Sequence, residues 1–253
     1  MIIMNIREAE KPMLIDNNYV HRHEKGFIIC HWMNAISFIM LFVTALPLYT
    51  DTFKFLYDVF GAYNLQIMHR VFAVIFIVTP FLGFFIARKG FSLWAKEILT
   101  VNPAEDMAFM SKFPLELIGL HPEGVPKQGF YNSGERMNSA LQIGIWLLLV
   151  ASGLALWVGN SYLSRETMAW MGPLHSAAAG LGFAAFLAHL YLAAVANPDS
   201  LRGMRKGNIH VRYAKAHHEK WYEDLIARGE FTREEAEKAI KADAMGKSAS
   251  GSM

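Results

Sequence analysis

One cysteine, Cys30, is all that 253 residues provide. A lone thiol excludes internal disulfides, a cysteine zinc cage, a four-cysteine iron–sulfur cluster and covalent c-type haem attachment. Charge is the second scarcity. Four stretches, 26–49, 71–87, 137–164 and 167–198, contain no Asp, Glu, Lys or Arg. A helix crossing a bilayer needs about 20 largely apolar residues, and the second stretch reaches that length by taking in Ile67, Met68 and His69. Hydrocarbon admits only helices or closed barrels, because unpaired backbone groups find no water there. The expected fold is therefore all-α: an integral membrane four-helix bundle. A cleavable signal is not expected, since the first apolar run follows about 25 polar residues, exceeds a signal core in length and lacks a small-residue cleavage site.

Basic residues are unevenly placed. Lys54, Arg70 and Arg165 fall in the first and third connections; the rest of the 24 Lys and Arg precede the first span, fill the second connection or follow the fourth span. Positively charged loops stay in the cytoplasm, so both termini are expected to be cytoplasmic. The expected organisation is an N-terminal cytoplasmic segment (1–25), a transmembrane domain (26–198) with a cytoplasmic loop (88–136), and a cytoplasmic tail (199–253). The loop at 50–66 reads as a short outer connection with a partly amphipathic helical piece. The stretch 92–110 reads as a surface helix, and the Pro- and Gly-rich segment after it as an ordered turn-rich region or a partner surface. Residues 246–253 are expected to be disordered.

Ten histidines remain as candidate ligands. His175 and His189 stand fourteen residues apart on the fourth span. At about 100° and 1.5 Å per residue they share nearly one helix face, roughly 21 Å apart. Ala178, Gly182 and Ala185 share that face, so a flat bulky group could lie against the backbone. His31, beside Trp32, lies near the inner end of the first span; His69, beside Arg70, lies at the outer end of the second. Taken singly, each reads equally as an interfacial histidine, and Arg70 as a side chain snorkelling to the headgroups or pairing with a haem propionate. Taken together they sort by depth into His31 with His189 on the inner side and His69 with His175 on the outer. Ionisable groups inside a membrane are costly and rarely accidental, and facing helices of a bundle commonly hold cofactors. Two histidines filling both axial positions of a haem iron make a six-coordinate electron-transfer centre. Zinc suits less well, with two ligands per pair and no nearby carboxylate. Two bis-histidine b-type haems are the expectation.

The other histidines carry less. His21 and His23 read as solvated, His121 as exposed, and His217-His218 as a metal pair only superficially. The third span, without histidine, reads as a packing helix whose Gly144 and Gly153 admit a close neighbour. Asn132 or Ser133 suits a helix N-cap. The basic run after Asn197 reads as a solvated or headgroup-facing surface.

Four places in the chain carry a resemblance: Cys30-His31-Trp32, the region of His69, GFYNSGERM at 129–137, and HSAAAGLGFAAFLAHLYLA at 175–193. The chain resembles the cytochrome b (gamma) subunit of membrane-bound respiratory formate dehydrogenases, within the bacterial di-haem cytochromes b that include hydrogenase subunits. The segment SLRGMRKGNIHVRYAKAHHEKWYEDL at 200–225 favours the formate dehydrogenase branch. The resemblance implies an inner-membrane, multi-pass subunit with no substrate-oxidising centre and no catalytic residue of its own. A molybdenum- or tungsten-containing alpha subunit oxidises formate outside the membrane. An iron–sulfur beta subunit passes electrons to the outer haem, here His69 and His175, and they continue to the inner haem, here His31 and His189. Menaquinone, or ubiquinone, is reduced near the cytoplasmic face. The family's quinone segment, YNxG, maps onto Asn132 and Gly134, with His189 close to the quinone; Glu135 stands where family members often have Gln. The implied partners are these two subunits, lipid, quinone and a higher oligomer of the complex, with no nucleic acid. Two alternatives stay open: the equivalent subunit of a hydrogenase or a thiosulfate or polysulfide reductase, and a non-redox membrane scaffold.

Overall fold

The structure, a computed structural model, describes residues 18–118, 120 and 122–250, with side chains for all of these except 116 and 244–250. His121, residues 1–17 and residues 251–253 of the C-terminal stretch lie outside the described residues. The chain divides into two compact units. One comprises 24–99 and 137–191, the other 1–23, 100–136 and 192–253.

The first unit holds the long apolar helices. Helix α1 (Lys25–Ala45) ends in a 3-10 turn at Leu46–Leu48, where Pro47 stops continuation. A second 3-10 turn and the short α2 (Phe55–Phe60) follow, matching the helical piece expected in this connection. Gly61, at φ 77, turns the chain into α3 (Ala62–Ile86). Helix α3 therefore starts well before the apolar run, so His69 lies about two turns inside the helix and not at its tip. Helix α4 (Arg88–Leu99) and α5 (Pro103–Leu117), the latter belonging to the other unit, take the place of the single surface helix expected over 92–110. Pro103 disfavours helical geometry in the residue before it and opens α5 with its fixed φ. Helices α6 (Ser133–Val158) and α7 (Arg165–Tyr191) complete the set, and α7 runs into a π-helical turn at Leu192–Ala196.

Among the described residues four segments are long and apolar enough to cross a membrane: Lys25–Leu48, Ala62–Ile86, Ser133–Ser161 and Arg165–Ala196. Only 17% of each one's most apolar window is buried, and large side chains such as Ile36, Phe85, Leu147 and Leu181 are exposed. In water that surface would drive aggregation; in lipid it is the solvated face. Helix packing is made by specific contacts. Phe42 stacks on Phe183 with centroids 4.0 Å apart, and the Trp146 indole donates to the Phe76 carbonyl at 3.1 Å. A Cβ on Gly182 would meet Phe38 and Ile145 at 3.1–3.2 Å, so α1, α6 and α7 close on that glycine.

The second unit is a small polar-surfaced fold. Strand β1 (Tyr19–His21) pairs antiparallel with β2 (Asn208–His210), aligning Val20 with Ile209. Helices α8 (Pro198–Lys206), α9 (Val211–His217), α10 (Glu219–Ala227) and α11 (Arg233–Ser250) complete it. Val20, Ile209, Val211, Trp221, Tyr222 and Leu225 head its core. Helix α11 opens on a capping box, Thr232 accepting from the Glu235 N–H and Glu235 from the Thr232 N–H. It runs to Ser250, so residues 246–250 are helical where disorder was expected; a good cap and helix-forming Ala and Lys carry it there. His23, expected in solvent, is buried between Phe130, Tyr131 and Gly203, because β1 draws residues 22–23 onto the Gly207 carbonyl.

Arg22 ties this unit together. Buried, it donates to both Glu135 carboxylate oxygens at 2.9 and 3.1 Å and to the Phe130 carbonyl at 2.7 Å. Its guanidinium lies 5.3 Å from the Phe130 ring centre. His218 is fully buried and its Nδ1 lies 3.0 Å from the Gly129 carbonyl. Burial, reinforced by the Arg22 charge, holds its pKa well below the ordinary value, so it stays neutral. Removing one partner of a buried ion pair costs about 3–5 kcal/mol when both are desolvated. Glu135 keeps 28% exposure, so Arg22→Ala is expected to cost about 2–4 kcal/mol. Hydrogen exchange on the purified chain should then show lost protection in β1, β2 and α10, and an unchanged pattern would refute this role.

Candidate functional site

The four histidines expected as ligands come together as two pairs inside the bundle. The rings of His31 and His189 have centroids 6.2 Å apart, and those of His69 and His175 are 6.4 Å apart. Depth agrees with pairing. At 1.5 Å per residue, His31 sits about 9 Å past the start of its span and His189 about 10 Å before the end of its own. His69 and His175 lie about 10 and 15 Å into theirs.

The separation bears on what each pair could hold. Imidazole nitrogens bind metals at about 2.0–2.1 Å and lie about 1.1 Å from the ring centre, so rings on opposite sides of one metal have centroids about 6.3 Å apart. Both pairs meet this value. Among the described residues no group of three or more His, Cys, Asp or Glu could hold a metal ion. Each pair thus presents two imidazoles at that spacing and no third ligand, a donor set that would suit haem iron and would leave a tetrahedral zinc incomplete.

Space is present beside the His69–His175 pair. A cavity of about 840 Å³ is lined by His69, His175, Arg70, Phe38, Phe42 and Gly153 among others, within the range of cofactor sites, about 300–1,000 Å³. Its lining is mostly apolar, as a porphyrin requires. Arg70 adds a cation and packs 5.5 Å from the Trp157 ring centre. Gly153 is needed for close approach: a Cβ there would lie 3.2 Å from the His175 ring.

The third span is more than a packing helix. Ser152 on α6 lies 2.9 Å from His175 Nδ1, and the Asn138 amide 3.3 Å from His189 Nδ1. On α1, Thr44 lies 2.9 Å from His69 Nδ1. Three of the four rings therefore have Nδ1 engaged, which directs Nε2 to any ligand. His31 Nδ1 is buried without a partner among the described residues, as is the Asn34 carbonyl oxygen three residues along. Residues 44, 138 and 152 escaped sequence reasoning because a hydroxyl or amide in an apolar run signals nothing until the facing helix is in register.

The second unit holds the other two candidate positions. Asn132 caps α6: its Oδ1 accepts from the Glu135 N–H at 2.8 Å, and Glu135 accepts from the Asn132 N–H at 3.0 Å. That leaves the Asn132 amide nitrogen as the group able to donate outward. A Cβ on Gly134 would stand 3.3 Å from Phe109, so an aromatic ring already exploits this glycine.

These features define a class, an all-α integral membrane bundle with paired histidines. The chain belongs to the prokaryotic cytochrome b561 family, whose model matches residues 22–207. Membership carries haem b as cofactor and a membrane electron-transfer role. Among curated relatives, the cytochrome b556 subunit of formate dehydrogenase from Haemophilus influenzae is 28% identical over 226 residues, covering 85% of this chain and 87% of its own. The cytochrome b556(Fdn) subunit of the nitrate-inducible formate dehydrogenase of Escherichia coli K12 is 23% identical over 86% of this chain and 94% of its own. The cytochrome b556(fdo) subunit of the same organism is 25% identical over 78% and 89%. They agree with the resemblance drawn from the sequence.

Gly153→Val is expected to displace His175 and lower haem content. Gly144→Ala, where a Cβ meets nothing within 4 Å, should leave it unchanged; equal haem in both variants would show that Gly153 has no such role.

Proposed function

We propose that this chain is the membrane cytochrome b subunit of a formate dehydrogenase-type complex, carrying electrons from an iron–sulfur subunit on the outer side to menaquinone, or ubiquinone, on the cytoplasmic side. The observation that carries the reading is the two histidine couples, with ring centroids 6.2 and 6.4 Å apart, at two depths of one bundle. Bound haem b supplies a one-electron couple with no open coordination position. The names of the relatives favour formate dehydrogenase as the partner activity.

In this reading His69 and His175 hold the outer haem and His31 and His189 the inner one. Arg70 lines the outer cavity and offers its guanidinium to a propionate. Asn132 and Gly134 form part of the quinone pocket. Since Asn132 Oδ1 is committed to the helix cap, its Nδ2–H is the donor for a quinone carbonyl. The excess of Lys and Arg in the termini and the second connection supports cytoplasmic termini and a quinone site on that side. Inward electron movement with proton uptake from the cytoplasm charges the membrane negative inside. In this reading the molybdenum or tungsten centre and the iron–sulfur clusters belong to partner subunits, and one cysteine cannot hold a four-cysteine cluster.

A pyridine haemochrome assay on the purified chain should return two b haems, low-spin in the reduced-minus-oxidised spectrum; a colourless protein would defeat the reading. His189→Ala should lose one haem and quinone reduction while the outer haem survives. Loss of the outer signal instead would reverse the pairing. Asn132→Asp keeps an oxygen for the cap and removes the amide donor. It should retain both haems while weakening inhibition by quinol analogues several-fold, and unchanged inhibition would take Asn132 out of the pocket.

A further inference from the structure

The hydroxyls behind the outer histidines are built the same way twice. Thr44 is 7% exposed and Ser152 is fully buried. Each hydroxyl has one proton, and in both cases backbone carbonyls of its own helix claim it. Thr44 Oγ1 donates to the Met40 carbonyl at 2.8 Å, with the Leu41 carbonyl at 3.1 Å. Ser152 Oγ donates to the Leu148 carbonyl at 2.5 Å, with the Leu149 carbonyl at 3.4 Å. With its proton spent, each oxygen faces the histidine with lone pairs only. That arrangement favours hydrogen on Nδ1 of both outer rings, which leaves lone pairs on both Nε2 atoms.

At the inner pair the side chain facing a ring is an amide. His189 faces the Asn138 amide, which can offer its oxygen or its nitrogen by a half-turn. His31 Nδ1 has no partner among the described residues. The two centres thus differ in what stands behind their ligands, although all four ligands are histidine.

Resting on the haem assignment made above, we infer that Thr44 and Ser152 are positioning residues of the outer centre: they lock His69 and His175 in the Nδ1–H tautomer and depress the reduction potential of the iron those rings hold. An Nδ1–H donated to an acceptor makes the imidazole a more basic ligand, and a more basic ligand favours the oxidised, more positive iron. The hydroxyl pair thereby sets one centre of a chemically uniform pair apart from the other.

The test is a potentiometric titration of the two b-type components in the purified holoprotein, comparing wild type with Thr44→Val/Ser152→Ala and with Thr44→Ser. In the double variant the component that survives in His189→Ala should move to higher potential while the other stays in place. Thr44→Ser, which keeps the hydroxyl, should titrate as wild type. Two components at wild-type potentials in the double variant, or both moving together, would overturn the inference. If the double variant loses the outer haem, Thr44→Val and Ser152→Ala are titrated singly, and no upward shift in either overturns it. Failure of the haem assignment itself is distinguishable: full haem content in both His69→Ala and His175→Ala would remove the outer centre whatever the potentials do.

Discussion

Inside hydrocarbon a polar group has no water to fall back on, and the architecture of this chain follows from that constraint. Backbone groups satisfy it by forming helices. Side chains satisfy it by finding one another: Thr44 and Ser152 turn their protons back onto their own helices and their lone pairs to histidines. The indole of Trp146 reaches a carbonyl on α3. The costly residues that remain, four imidazoles, are retained in facing pairs at a spacing that one metal ion would fill. For His69, His175 and His189 a coordinated iron and an engaged Nδ1 would satisfy both ring nitrogens at once.

The same constraint separates the chain into two kinds of fold. Residues of the bundle bury little and face lipid with Ile, Leu and Phe, so their positions are held by a few close contacts at Gly153 and Gly182 and by stacked Phe42 and Phe183. The other unit lives by aqueous rules. It has an apolar core under a charged surface, capping boxes at α6 and α11, and one buried arginine that gathers Glu135, Phe130 and the Gly207 carbonyl. Asn132 serves in this unit as a helix cap whatever else it contacts, so Oδ1 is structural and only Nδ2 is free to serve recognition.

Membership of the cytochrome b561 family and relatives named as formate dehydrogenase subunits place the two pairs in an electron-transfer setting. In the proposed function, direction comes from asymmetry, and ligand identity supplies none because all four ligands are alike. Asymmetry resides in the neighbours on α1 and α6: the Thr44 and Ser152 hydroxyls face one pair, and the Asn138 amide faces His189 of the other. A helix with no ligand of its own, α6, contributes Ser152, Asn138 and Gly153, and so shapes both levels.

The sequence by itself determined the number of spans, their helical nature and the identity and pairing of the four histidines. Those features rest on local quantities, namely uncharged run length, helical period and the side on which basic residues gather. The tertiary structure decided what depends on register between distant segments. Thr44 meets His69 and Ser152 meets His175 only when helices pack. His23 leaves solvent only when residues 19–21 pair with 208–210, a strand pairing too short to show as alternation in the chain. The polar unit has the same cause: its core is assembled from Val20, Phe130 and 209–240, pieces that read separately as a lead-in, a loop and a tail because no one of them can bury an apolar face alone.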